Sequence, residues 1–401
     1  MAHWSSETNI VFMRNNSLIF LDYASTTPVD PRVIDVMMPY FDQSYGNSSS
    51  IHQYGQQAES ALEKSRQSVA DILGAKNHEI IFTSCGSESD NLALRGVAFA
   101  RRKSHSASHI LISAVEHHAV SNTAFQLGDL HGFDIEIIPV DEFGIVDPDD
   151  IKNRIRDNTA LVSVIYANNE IGSINPLREI GEICRSKGIP FHTDAVQGAA
   201  HLPVDVNLLN VDLLSLGAHK FYGPKGVGTL YVKEGIPIIP VLTGGGQEYN
   251  LRAGTHNIPY IVGLAKAFEL AQSDHGDRNN HYSSMRDLLI NTIIESIPSS
   301  KLTGHPVNRL PNHASFVFEG VDGNTLLMML DSAGYACSSG SACKTGSPEP
   351  SDVLLALGLH QEWALGSLRV TIGQQTTSDE LEGFLDTLPN LVHQVRNLSK
   401  S

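Results

Sequence analysis

Short apolar runs bounded by Gly, Asn, Asp or Ser recur through the first two thirds of the chain, at Glu79–Thr83, His109–Ser113, Ile135–Val140, Leu161–Tyr166, Pro190–His192, Asp212–Leu216 and Gly228–Val232. Hydrophobicity that is continuous rather than alternating is what a strand covered on both faces needs, so these runs read as buried parallel strands. Helically spaced apolar positions fill the gaps, over Ser89 to Arg101, Val120 to Gly132 and Leu177 to Lys187. The alternation makes βαβ units and therefore an α/β domain. From about Ile258 the pattern becomes a long amphipathic helix, followed by a mixed segment with strands at Ala314–Phe318 and Ser367–Ile372. The organisation predicted is a large α/β domain over residues 29–275 with a mainly parallel mixed sheet, and a smaller α+β domain over 276–401. The N-terminal segment 1–28 is expected to pack with the smaller domain. Within Ser338–Ser351, SSGSACKTGSPEPS, eleven of fourteen residues are Gly, Ser, Ala, Thr or Pro, which is loop composition.

A length of 401 residues supports this two-domain division, since a single core of that size is uncommon. With 41% hydrophobic and 18% charged residues, the composition is that of an ordinary globular protein. The formal charge of −16 comes without a concentrated Lys/Arg patch, which argues against direct nucleic-acid binding. No stretch approaches the roughly 18 consecutive apolar residues of a membrane span. The opening MAHWSSETNIVFMRNNSLIF has neither a secretory nor a transit-peptide pattern, so a cytoplasmic location is expected. Four cysteines, Cys85, Cys184, Cys337 and Cys343, are too few for a disulfide scaffold, and none are spaced as CxxC. His105 and His109 stand four apart, but their surroundings, RRKSHSASH, read as a solvated turn rather than a metal site, and no intrinsic metal is expected.

In an open α/β sheet, ligands bind beyond the carboxyl ends of the strands, so the residues just after each apolar run carry the functional information. After Phe82 comes TSCGSESDN, in which Gly86 and Ser87 lead into a helix and offer a phosphate cradle of backbone N–H groups. EHHAV with His117, ANNEIG with Asn169, and DAVQG with Asp194 and Gln197 follow three further runs. Lys220 sits after another, in GAHKFYGPKG. A deprotonated lysine forms a Schiff base with an aldehyde cofactor, and an aspartate keeps a pyridine nitrogen protonated as an electron sink. These residues suit that chemistry, though spacing alone leaves a Rossmann-type nucleotide enzyme as the alternative. Neither GxGxxG nor GxxxxGK[ST] is present.

The motifs LDYASTTPVDPRV, GNSSSIHQYGQQAE, SESDN, EHHAV, ANNEIG, HTDAVQ, AHKFYGPKG, GGGQE with LRAGT, and SSGSAC occur in this order from Leu21 to Gly373. Together they resemble a group I cysteine desulfurase of the NifS/IscS type, a branch of the class-V aminotransferases. The resemblance implies the aspartate aminotransferase-like fold type I of pyridoxal 5′-phosphate (PLP) enzymes. It implies Lys220 as the Schiff-base lysine, Asp194 as the partner of the ring nitrogen and His117 as the ring-stacking acid/base. Asn169 and Gln197 would bond around the ring hydroxyl, and Gly86, Ser87 and His219 would hold the phosphate. Thr255, in LRAGT, would be donated by the neighbouring subunit of a homodimer. Arg369 would take the carboxylate of L-cysteine, with Asn169 alongside. Cys343 would carry sulfur as a persulfide from a mobile loop to an acceptor or iron–sulfur scaffold protein, with Lys344 favouring the thiolate. A selenocysteine lyase, an aminotransferase and a non-catalytic scaffold for sulfur-carrier partners are the alternatives.

The sequence departs from the family in two places. Gly217 stands where a serine is usual, which leaves Gly217 and Ala218 only backbone groups to offer a phosphate. Tyr249 and Asn250 replace a common arginine and glycine. Cys337 is read as structural, and Cys85 and Cys184 as small hydrophobic residues.

Overall fold

The computed structural model describes residues 18–273, 275–340 and 349–398. Cys343 and Lys344 lie outside the described residues. The chain opens with β1 (Ile19–Phe20) and then builds a seven-stranded sheet from β2 (Ile80–Thr83), β3 (His109–Ser113), β4 (Asp134–Ile138), β5 (Thr159–Ser163), β6 (Phe191–Asp194), β7 (Leu213–Gly217) and β8 (Gly228–Val232). Their order across the sheet is β2-β8-β7-β6-β5-β3-β4. The expectation of parallel strands needs one correction, because β8 runs antiparallel to both β2 and β7. A strand covered on both faces has a continuous apolar run whichever way it points, so composition cannot report its direction. The connection can: only residues 218–227 separate β7 from β8, with no crossover helix, and a parallel neighbour needs one.

Helices cover both faces. Gln53–Leu73, Leu177–Ser186 and Ile258–Ser273 press Val69, Leu73, Ile180 and Phe268 onto one side, and Gly86–His105 and His118–His131 press Leu94, Val97, Ala124 and Leu127 onto the other. The amphipathic pattern from Ile258 resolves into two helices, Ile258–Ser273 on the large sheet and His275–Ser296 in the second core. The latter core is built around β9 (Ser300–Leu302), β10 (His313–Phe318) and β12 (Ser367–Thr371), antiparallel in the order β12-β10-β9, and around the helix Ser378–Leu398. β11 (Tyr335–Ala336) pairs in parallel with β1, and Leu21 is buried among these residues. Val115, Ile165 and Ile171 meet Val317, Val353 and Leu354 in an apolar seam between the two cores.

The segment before β3 is not the solvated turn expected. Arg101–His105 ends the long helix and His109 is fully buried on β3, its Nδ1 2.9 Å from Thr159 Oγ1. The two histidines therefore belong to different elements. No helix among the described residues is long and apolar enough to cross a membrane.

Candidate active site

The carboxyl ends of β3, β5, β6 and β7 share one rim, where the chain leaves the sheet and polar side chains can gather. Around a cavity of about 210 Å³ stand His117, Asn169, Asp194, Gln197, His219 and Lys220, with Gly86 and Ser87 at one end. Lys220 closes a 3₁₀ turn after β7, and its Nζ donates to the carbonyls of Ala24 (2.6 Å) and Ser25 (2.8 Å). Gln197 Nε2 donates to the same Ala24 carbonyl at 2.7 Å, and the Thr27 amide to the His219 carbonyl at 2.9 Å. The N-terminal LDYASTT segment is thus the buttress of the site. Burial, and then the Arg369 charge, lower the Lys220 pKa to about 8, against the pull of Asp194 and Asp22.

Asp194 ends β6, and its Oδ1 accepts from the Val196 amide at 2.9 Å. Burial raises its pKa, while His117 and Lys220 act the other way. His117 caps the helix His118–His131, Nδ1 accepting from the Ala119 amide at 3.1 Å, which leaves the ring proton of the neutral form on Nε2. Its ring opens on the cavity, yet the protein packed around it holds its pKa below the usual imidazole value, again opposed by Asp194. Burial likewise lowers His219 to about 4. Beneath His117, buried Glu116 accepts from Ser113 Oγ (2.5 Å) and the Ile165 amide (2.7 Å), and burial pushes its pKa up to about 8.

The helix Gly86–His105 begins at the cavity, with its first N–H groups and positive dipole end available to an anion. A Cβ at Gly86 would lie 2.7 Å from Val196 Cγ2, so the close approach of this turn requires glycine. Arg369 on β12 reaches over from the smaller core. It donates to the Asn169 carbonyl (2.9 Å), to Asp22 Oδ1 (2.7 Å) and to Ser25 Oγ (2.8 Å), and its buried Nε has no partner among the described residues.

Two expected cofactor contacts are placed differently. Gly217 and Ala218 do not line the cavity: Ala218 is fully buried and its amide already donates to the Val227 carbonyl at 3.3 Å, so it has no N–H to offer a phosphate. Thr255, expected to be donated to a neighbouring subunit, is exposed and outside the cavity of its own chain. Four lining residues were not foreseen as part of the site: Cys85, Asp90, Ile165 and Val196. Asp90 had a legible signal, since it follows Gly86 by four residues and so shares its helix face. Cys184 and Cys337 pack against the two cores, and burial raises both thiol pKa values, which fits small hydrophobic roles.

Residues 19–384 match the family Aminotransferase class-V. A protein named Cysteine desulfurase IscS from Methanosarcina thermophila is 46% identical over 384 residues, covering 96% of this chain and 94% of the relative. A solved structure of a NifS-like protein superposes with TM-score 0.87 at 34% identity, covering 94% of this chain and 99% of the other. Another, SspA in complex with cysteine, gives TM-score 0.78 at 35% identity over 88% of this chain and 98% of the other.

Proposed function

The chain belongs to the aminotransferase class-V family, and we propose that it is a PLP-dependent cysteine desulfurase, converting L-cysteine to L-alanine and passing the sulfur on through Cys343. The observation that carries the reading is the meeting of Lys220, Asp194 and His117 around one cavity at the head of a helix. The residues fit the cofactor on chemical grounds. Asp194 is a carboxylate whose pKa burial raises, and a protonated pyridine nitrogen would set a cation against it. The helix start at Gly86 and Ser87 would face the phosphate, and the lowered Lys220 amine would meet the aldehyde. PLP, when bound, supplies an electron sink for the carbanion formed at the substrate Cα.

The rest of the chemistry belongs to the chain. Near pH 8 a large share of Lys220 is neutral, so it can take the Cα proton. Neutral His117, with its proton on Nε2, would exchange protons from its own place on the cavity wall. Arg369, held by the Asn169 carbonyl, Asp22 and Ser25, would exchange part of that set for the substrate carboxylate. The Cys343 thiolate attacks the substrate sulfur as the substrate Cβ–S bond breaks, its electron pair stays with the carbon skeleton that is protonated and leaves as L-alanine, and an acceptor or iron–sulfur scaffold protein collects the persulfide. The SSGSAC context and the named relatives support that assignment.

The test is to incubate the purified protein with L-cysteine and assay alanine and sulfide together under reducing conditions. Equal yields, abolished by Lys220→Ala and by Cys343→Ser, are expected. Alanine formation at the wild-type rate in either variant would overturn the scheme.

A further inference from the structure

Asp90 is about 1% exposed, lies one helical turn after Gly86 and lines the cavity directly behind the ring-binding residues. One oxygen or nitrogen from each of Asp90, His117 and Asp194 falls within 4.8 Å of the other two. Asp90 Oδ1 has no hydrogen-bond partner among the described residues, and no lysine or arginine pairs with it. The groups facing it are acids or neutral: Asp194, Glu116, Cys85, His192 and the Ser215 hydroxyl, the one neighbour that favours its anion. His192 Nε2 lies 3.6 Å away, but that imidazole is fully buried between Ser163 Oγ (2.9 Å from Nδ1) and Ser215 Oγ (3.0 Å from Nε2). Burial lowers its pKa to about 3, so it brings no charge.

Two carboxylates this close, both out of water, do not both ionise. The proton settles on the one with the poorer company. Asp194 has an amide donor and feels His117 and Lys220, whereas Asp90 has neither a cation nor a backbone donor.

We propose that Asp90 is a positioning residue for the cofactor: it stays protonated behind Asp194 and turns its O–H toward that carboxylate, keeping Asp194 the anion that faces the pyridine nitrogen. The inference rests on the reading of Asp194 given above. It explains why a buried acid with an unpaired oxygen sits on the cavity wall, where an ionised one would repel Asp194. Burial, and then Asp194 itself, raise the Asp90 pKa well above the carboxylate range, in keeping with the geometry.

Two measurements test it. In the apoprotein, the infrared difference spectrum of wild type minus Asp90→Asn should contain the C=O stretch of a protonated carboxyl at neutral pH; a carboxylate band in its place overturns the inference whatever the cofactor does. In the PLP-loaded protein, the downfield proton resonance of the ring N–H reports on Asp194. Asp90→Ala should shift that resonance and weaken PLP binding about fivefold, a net polar contribution of about 1 kcal/mol. Asp90→Asn, which keeps a neutral donor of the same size, should restore most of both. An Asp90→Ala protein indistinguishable from wild type, or an Asn variant as impaired as the Ala one, overturns the inference alone. A wild-type protein that binds no PLP overturns both this inference and the assigned function.

Discussion

At Gly217 the backbone has φ −138°, ordinary extended geometry, and a Cβ there would lie 3.4 Å from Val196 Cγ1 and 3.5 Å from the Gly86 nitrogen. Those are normal contacts, so a serine fits, and its hydroxyl would stand beside the helix start proposed for the phosphate. Gly217→Ser is expected to tighten PLP binding about tenfold, the worth of one hydrogen bond to a charged group. Fluorescence titration of the apoprotein measures it, and weaker binding would place the phosphate elsewhere. Lys220 makes a second residue-scale prediction. With its folded pKa at about 8, against 10.5 for a free lysine, PLP capture by the apoprotein should accelerate as pH rises and level off above about 8. Arg369→Gln removes the second cause of the shift and should move that midpoint upward, short of the free value because burial remains. The sign for stability follows: the unfolded chain binds the extra proton between these two values, so this lysine's contribution grows as pH rises through that window.

Arg66, on the helix Gln53–Leu73, makes a bidentate pair with Glu248 at 2.7 and 2.9 Å, both side chains at most 3% exposed. Glu248 also accepts from the Phe82 amide (2.8 Å) and His256 Nε2 (2.7 Å), so one carboxylate ties a helix, β2 and the Gly246–His256 loop together. Glu248→Ala strands a buried guanidinium and should cost about 3–5 kcal/mol in urea unfolding. The pair was invisible in the sequence, because its members are 182 positions apart and neither carries a local pattern. What was legible at this scale depended on burial. β3 and β8 have the ends that their apolar runs predict, whereas the run Leu161–Tyr166 belongs to a strand that ends at Ser163. Beyond that end the amides of Val164 and Tyr166 still donate to the His192 and Asp194 carbonyls of β6 (3.1 and 2.9 Å), so the buried apolar run follows the pairing further than the regular strand does. The site was read more sharply than the strands, since Asp194, Lys220 and His117 each follow an apolar run on the same rim. Asp90 escaped because it lies inside a helical stretch where a polar residue reads as a solvated face.

The single chain leaves two features that a second copy would account for. Met38, Phe41, Ile51 and Tyr54 are 51–92% exposed, more apolar surface in one stretch of chain than a monomer usually leaves bare. Ser48, in the same stretch, bonds through its Oγ to His256 Nδ1 at 2.9 Å, which puts this surface beside exposed Thr255. A homodimer formed through this surface, with Thr255 reaching a phosphate in the opposite subunit, is the assembly we propose. Subunit mixing tests it without a structure. Lys220→Ala subunits have no usable site of their own but carry a normal Thr255, and Thr255→Asp subunits carry Lys220 but would repel a phosphate across the interface. If Thr255 serves the partner's site, each mixed dimer has one site with both residues intact, so co-refolding the two inactive or impaired proteins should regain activity. If Thr255 served its own site, or none, every site containing Lys220 would keep the activity of the Thr255→Asp parent, and mixing would add nothing to the sum of the two preparations.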